Sequence, residues 1–203
     1  MQNEKNFIIK KIMNPTEIFS QHVYKKHFLE FNTNYLNQLQ ASIELIRRGD
    51  INGRSISNSE FGWQSDSLPQ DGPFQFLTEQ ITKQAFEFCK NLKNFNFSKV
   101  EMEIMWANIN YEGDINWPHN HSGDIAGVFY VDVHENCGDL WLHSFAYNQQ
   151  HKLSTYLNEK NSLSITPKNN LLVLFDSDCY HSVSKNNSKK PRISISFNIS
   201  IHD

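Results

Sequence analysis

The sequence predicts an α+β fold, mainly β, in which two N-terminal helices brace one face of a β-sandwich or barrel. Three observations predict it. Apolar residues recur at helical spacing only in the first half of the chain, the period drops to two from Lys99 onward, and the two kinds of segment are segregated rather than alternating. That order argues against a doubly wound parallel sheet, which needs helices between its strands.

With 203 residues, 38% of them hydrophobic and 20% charged, the chain can bury a core and does not have the composition of a disordered one. One domain is expected over residues 1–203, with a strand, two helices and a loop in 1–98 and the β core in 99–203. The formal net charge is -3 and the basic residues come at most in pairs, such as Lys25-Lys26 and Arg47-Arg48, so no partner is expected among nucleic acids or membranes. Cys89, Cys137 and Cys179 are odd in number and far apart, which fits neither a disulfide framework nor a Cys-x-x-Cys site. The first apolar patch, Phe7-Ile8-Ile9, is too short for a signal sequence or a membrane span. A cytoplasmic location is therefore expected.

Residues Ile8 to Ile12 read as an opening strand. From Asn34 to Arg48, Leu36, Leu39, Ile43 and Ile46 fall on one helical face, with Gly49 at the stop. A polar stretch from Asp50 to Gly72 reads as a loop and, given its length, as a lid. Pro73 then suits a helix start, with Phe74, Leu77, Ile81, Phe88 and Leu92 along one face. After Lys99, Val100, Met102, Ile104 and Trp106 alternate with polar residues, which predicts a strand with these four on a common side. Further strands are predicted at Ile125 to Val133, Asp139 to His143, Asn170 to Phe175 and Arg192 to Ile201.

The chemistry is concentrated in this second half. In His119-Asn120-His121, residues two apart on an extended backbone share a face, so both imidazoles can reach one ion. His181 follows the apolar strand ending at Phe175, and a barrel can bring it beside them. Three imidazoles suit iron, zinc, copper or nickel without choosing among them. The other histidines read as ordinary surface or core residues. In Arg192 to Ile201 the alternation puts Ile, Ile, Phe, Ile and Ile on one face and Arg192, Ser194, Ser196, Asn198 and Ser200 on the other. Ser196, Asn198 and Ser200 read as water-facing. Arg192 and Ser194 have two readings, an exposed strand edge or the inside of a barrel, where a guanidinium and a hydroxyl could hold a carboxylate.

Taken as an ordered set, these segments resemble the 2-oxoglutarate- and iron(II)-dependent oxygenases, and among them a small bacterial and phage subfamily. The resemblance rests on Met105 to Asn116 followed by His119-x-His121, on Gly127-Val128-Phe129-Tyr130-Val131, on Gly62-Trp63-Gln64-Ser65, and on Leu174-Phe175 through His181-Ser182-Val183 to Arg192-Ile193-Ser194. It implies a double-stranded β-helix, the jelly-roll barrel also seen in cupins, with Fe(II) and 2-oxoglutarate as cofactors. His119 would be the first iron ligand and His181 the distal one. Arg192 and Ser194 would hold the far carboxylate of 2-oxoglutarate, with Tyr130 and Asn108 beside it. The wider superfamily usually has a carboxylate two residues after the first histidine, where this chain has His121. A three-histidine site, a site completed by Asp124, and a two-histidine site with an extra water are then the alternatives, and the spacing favours His121.

The implied reaction consumes 2-oxoglutarate and O2, releases succinate and CO2, and by default hydroxylates a protein or small-molecule substrate that the sequence does not name. Trp117, two residues before His119, and Trp63 are the candidate substrate contacts. A homodimer is left open. Two competing readings are a cupin-like metal protein with other chemistry, which would have no use for an inward Arg192-x-Ser194 pair, and a non-catalytic β-sandwich binding module, in which the histidines are incidental.

Overall fold

A computed structural model describes residues 23–27, 31–54, 61–92, 95–143 and 162–203. The strand expected at Ile8 to Ile12 lies outside the described residues. The first helix, α1, spans Thr33–Gly49. Its start is fixed by Asn32, whose side-chain oxygen accepts the Tyr35 N–H at 3.0 Å, and Arg47 and Arg48 stand in the last turn, where cations meet the negative end of the helix dipole. Leu39 and Ile43 are fully buried, as the helical spacing predicts. Pro73 opens a short 3-10 turn, Gly72–Phe74, that runs into α2, Gln75–Lys90. Leu77, Ile81, Ala85, Phe88 and Cys89 form its buried stripe.

The strands make two antiparallel sheets. The larger contains β1 (Val23–His27), β2 (Trp63–Gln64), β3 (Lys99–Asn110), β5 (Ile125–Asp132), β8 (Leu171–Asp176) and β10 (Arg192–His202), in the order β1-β8-β5-β10-β3-β2. The smaller contains β4 (Asn116–His119), β6 (Leu140–His143), β7 (Ser162–Ile165) and β9 (His181–Val183), in the order β4-β9-β6-β7. This is a double-stranded β-helix braced by two helices, the fold class expected. β2 pairs with β3 inside the stretch read from sequence as a plain loop, because Trp63 and Gln64 bond to Ile109 and Asn108 across the sheet. β1, β4, β7 and β9 are short and carry too few residues to show a period. No helix among the described residues is long and apolar enough to cross a membrane.

The apolar residues form two clusters, one on each face of the large sheet. Ile193, Ile195, Phe197 and Ile199 of β10 pack under the helices with Leu39, Ile43, Leu77 and Ile81. Val128, Val173 and Phe175 lie on the opposite, inner face with Leu140 and Leu142 of the small sheet. One expectation about facing fails. Val100 and Met102 join the cluster under the helices, whereas Ile104 and Trp106 line the inner cavity. The register with β10 slips between Asn198 and Ile199, which oppose Ile104 and Met102, so Glu103 is the extra residue of a β-bulge. A single inserted residue exchanges the faces of everything beyond it. Met105, Ala107 and Ile109 consequently take over the helix-facing side.

Gly127 marks the tightest contact in the large sheet. It sits opposite Phe197, whose ring lies where a Cβ would be, and the Val173 carbonyl oxygen would be 2.7 Å from that atom. Gly127→Ala is expected to lower stability by about 1–3 kcal/mol, the usual range for overpacking a core. Urea denaturation measures it, and an unchanged midpoint would mean that Phe197 can move aside at no cost.

Candidate metal centre

The fold brings His119, His121 and His181 together from β4, the turn after it and β9, with one ligand atom from each within 4.8 Å of the others. His119 pairs directly with His181 across the small sheet. Two backbone carbonyls orient the rings: the Nδ1–H of His119 donates to Trp117 O at 2.6 Å and that of His181 to Cys179 O at 2.9 Å. With Nδ1 protonated by these bonds, each Nε2 keeps a free lone pair aimed inward. His121 is held by its backbone N–H on Ser177 O at 2.9 Å and by its ring, which lies between Trp106 at 5.4 Å and the parallel ring of His181 at 4.9 Å. The Nε2 atoms of His121 and His181 are 3.1 Å apart. Two adjacent ligands at right angles, each about 2.1 Å from a common ion, would be separated by about 3 Å. Burial pushes all three imidazoles below their ordinary value, His121 to about 4 and His181 well below that ordinary value, with the neighbouring histidines adding to the effect on these two. They are therefore neutral at pH 7, the form that binds a metal.

The cluster opens onto a cavity of about 430 Å³ between the two sheets. The sheet register orders its polar wall. Ser194 of β10 stands opposite Asn108 on one side and Tyr130 on the other, and Arg192 stands opposite Asn110. All five line the cavity, as do Ser196 and Asn198. These last two therefore do not face water as expected, because the polar face of β10 is turned inward over its whole length along the cavity. Arg192 is 2% exposed, and its guanidinium donates to Cys137 O at 2.7 Å and to Asn116 Oδ1 at 3.3 Å. Among the described residues no carboxylate lies within ion-pair distance of it. Burial pushes it down from its ordinary value, yet a guanidinium stays charged. Beside it, both amide atoms of Asn110 are buried without a hydrogen-bond partner. A buried cation with only neutral acceptors and an adjacent unpaired amide form a receptor for an anion.

Two of the residues proposed from sequence are elsewhere. The Asp124 carboxylate accepts the Ile201 N–H at 2.8 Å, on the strand pair β5-β10, and is outside both the histidine cluster and the cavity wall. Trp63 is 3% exposed in the core under the helices and donates its indole N–H to Asp50 O at 2.7 Å. Trp117 is 59% exposed and lines the cavity. Arg54, Gln64, Trp106, Asn110 and Asn116 also line it and had no functional reading from sequence. Trp106, Asn108 and Asn110 do alternate along β3, and that spacing was the available signal for the first and last of them.

Residues 104–198 match the model of a family described as "Putative 2OG-Fe(II) oxygenase". The match runs from the cavity end of β3 into β10 and includes the three histidines and Arg192. No curated protein sequence matches the chain. Among solved structures, a prolyl-4-hydroxylase from Pseudomonas putida aligns with a TM-score of 0.60 at 11% identity, covering 89% of this chain and 91% of that one. The viral collagen prolyl hydroxylase vCPH from Paramecium Bursaria Chlorella virus-1, in its 2OG complex, aligns with a TM-score of 0.58 at 14% identity, covering 89% and 96%. HygX from Streptomyces hygroscopicus, with nickel and 2-oxoglutarate bound, aligns with a TM-score of 0.59 at 8% identity, covering 88% and 82%. At such identities the likeness is one of fold.

Metal titration separates the alternatives for the third ligand. His119→Ala, His121→Ala and His181→Ala are each expected to weaken cobalt(II) binding by more than the roughly 10–100-fold that outer-shell changes cost. Asp124→Ala is expected to leave the affinity unchanged while losing about 1 kcal/mol of stability with its hydrogen bond. The reverse pattern for His121 and Asp124 would make the aspartate the ligand.

Proposed function

We propose that this chain, whose β core belongs to the 2OG-Fe(II) oxygenase superfamily, is an iron(II)- and 2-oxoglutarate-dependent hydroxylase acting on a protein or small-molecule substrate. The observation that carries the reading is the sharing of one cavity by the three-histidine cluster and a buried Arg192 with no carboxylate partner among the described residues. His119, His121 and His181 form a candidate iron site, and three neutral imidazoles, two of them oriented by backbone carbonyls, suit that metal. Iron(II) with 2-oxoglutarate and O2 supplies the oxidation, in which the cosubstrate becomes succinate and CO2 as the substrate is oxidised.

In this reading the residues around the metal bind, orient and shield. Arg192 takes the far carboxylate of 2-oxoglutarate in a charge-assisted contact, and Ser194 and Tyr130 donate to it from adjacent strands. Burial pushes the Tyr130 phenol above its ordinary value, which keeps it a neutral donor. Asn110 supplies a further donor from the position opposite Arg192, where its amide is otherwise unpaired. Asn108 acts more indirectly. It accepts from Gln64 Nε2 at 3.2 Å and donates to Ser196 Oγ at 3.0 Å, which ties the three strands of the polar wall into one chain of hydrogen bonds. The exposed Trp117 is placed to meet the primary substrate at the cavity edge. The cysteines Cys89, Cys137 and Cys179 are free and buried, which supports a reducing, cytoplasmic setting.

The test is anaerobic addition of iron(II) and then 2-oxoglutarate, following the visible charge-transfer band and, in air, the formation of succinate without primary substrate. Wild-type protein is expected to give both. Arg192→Ala is expected to raise the half-saturating 2-oxoglutarate concentration by at least about 30-fold, equivalent to about 2 kcal/mol, and Asn110→Ala to raise it by less. Stoichiometric metal with no band and no succinate would transfer the assignment to other metal chemistry in the same barrel.

A further inference from the structure

Beyond the cosubstrate end, the cavity carries a second and different set of groups. The edge strand of the large sheet, β2, gives it Gln64, and the turn that follows α1 contributes Arg54, while the edge strand of the small sheet, β4, gives it Trp117 and Pro118. Arg54 is held in place by its backbone. Its N–H donates to Gln64 O at 2.8 Å, and the turn from Asp50 wraps Trp63, which donates to Asp50 O at 2.7 Å while the Gly53 N–H donates to Asp50 Oδ1 at 3.1 Å. Gly53 has φ +59 and lies so close to Trp63 that a Cβ would be 2.6 Å from the ring. The buried Trp63 is thus the post around which the turn carrying Arg54 is bent. The Arg54 side chain is 36% exposed, and among the described residues its ion pair is with the outer carboxylate of Asp66, at 3.7 Å with that side chain 85% exposed, a pair largely screened by water.

Charge decides what can enter. Among the described residues lining the cavity there is no aspartate or glutamate, and apart from the histidines the charged side chains are Arg54 and Arg192. A divalent metal and a dicarboxylate cosubstrate cancel each other formally. The three histidines are neutral, so nothing on the wall offsets the two guanidiniums. A superfamily site with a carboxylate in place of His121 would be one unit less positive. Next to Arg54, Gln64 lines the cavity, and its buried side-chain oxygen accepts no hydrogen bond among the described residues. Its amide nitrogen is committed to Asn108, which fixes which end of the group is left over. The leftover end asks for an N–H or O–H donor.

We propose that Arg54, Gln64 and Trp117 form the primary-substrate subsite, and that it takes a carboxylate-bearing small molecule with an adjacent N–H or O–H and an apolar or flat group. Arg54 binds the anion, Gln64 accepts the donor, and the exposed indole of Trp117 covers the apolar group. This deepens the oxygenase reading, since the charge count uses its metal and cosubstrate, but the three side chains that carry it can be tested without either.

The experiment is calorimetric titration with a matched series: N-acetylphenylalanine, its neutral amide N-acetylphenylalaninamide, and the cation phenylalaninamide. It is run on the protein alone and on protein loaded with nickel(II) and 2-oxoglutarate. The acid is expected to bind at least about tenfold tighter than the amide, a difference of about 1.4 kcal/mol, with the cation weakest. Arg54→Gln is expected to erase the preference. Asp66→Asn, which removes the competing carboxylate on the outer side of Arg54, is expected to tighten the acid about twofold to threefold, the small size following from the exposure of that pair. Equal binding of acid and amide by the wild-type protein, no binding of the acid, or a preference that survives Arg54→Gln would each overturn the subsite. Failure to load nickel or 2-oxoglutarate, with an Arg54-dependent preference still present in the protein alone, would overturn the oxygenase reading and leave the subsite standing.

Discussion

The pleat of β10 is the constraint on which the rest of the structure depends. A strand must send alternate side chains to opposite faces, and this one sends Ile193, Ile195, Phe197 and Ile199 under the helices while Arg192, Ser194, Ser196 and Asn198 enter the cavity. Each side of the strand needs the other. Burying the aliphatic face anchors the central position of β10 between β5 and β3, and that position leaves the guanidinium nowhere to go but inward. The cost of desolvating Arg192 is met in part by the Cys137 carbonyl and the Asn116 side chain. The part left over is what an anionic ligand would meet.

The histidine cluster is built by a different device. β4 and β9 are too short to contribute much core, yet they place His119 opposite His181 as a cross-strand pair. Carbonyl oxygens at Trp117 and Cys179 then choose the tautomer, so that the ring nitrogens converge without help from a carboxylate. His121 has no such carbonyl among its described contacts and relies on packing against Trp106. That residue reaches the cavity only because the bulge at Glu103 has already exchanged the faces of β3. One inserted residue in a strand thus supplies one wall of the candidate metal site.

The cavity joins a polar wall to an apolar one, its arginines are the charged side chains among its described lining apart from the histidines, and its two ends have separate characters. Arg192, Asn110, Ser194 and Tyr130 gather at the deep end, where burial strengthens a charge-assisted contact. Arg54, part-exposed, and Trp117, more than half exposed, stand toward the sheet edges, where a ligand arrives before it is fully desolvated. A scaffold that carries tight recognition on central strands and looser recognition on edges can vary the second without disturbing the first.

By itself the sequence determined the two helices, the long strands, the shared face of Arg192 and Ser194 and that of His119 and His121, because each of these is written in a local period or in spacing along one strand; whether the first pair turned inward, and whether His181 reached the second, depended on how the sheets close. Tyr130 and Asn108 were within reach of the resemblance and fall in one row with Ser194. What only the tertiary structure decided concerns groups whose neighbours are distant in the chain. Asp124 looked near enough to ligate, but its carboxylate caps Ile201 N–H instead. Trp63 looked like a mouth residue, but it is the core post of the turn that presents Arg54. Asn116 and Gln64 carry no local signal, since an amide in a short strand reads the same whether it meets water or a cavity. The face it occupies is set by register, and register is a property of paired strands rather than of any one of them.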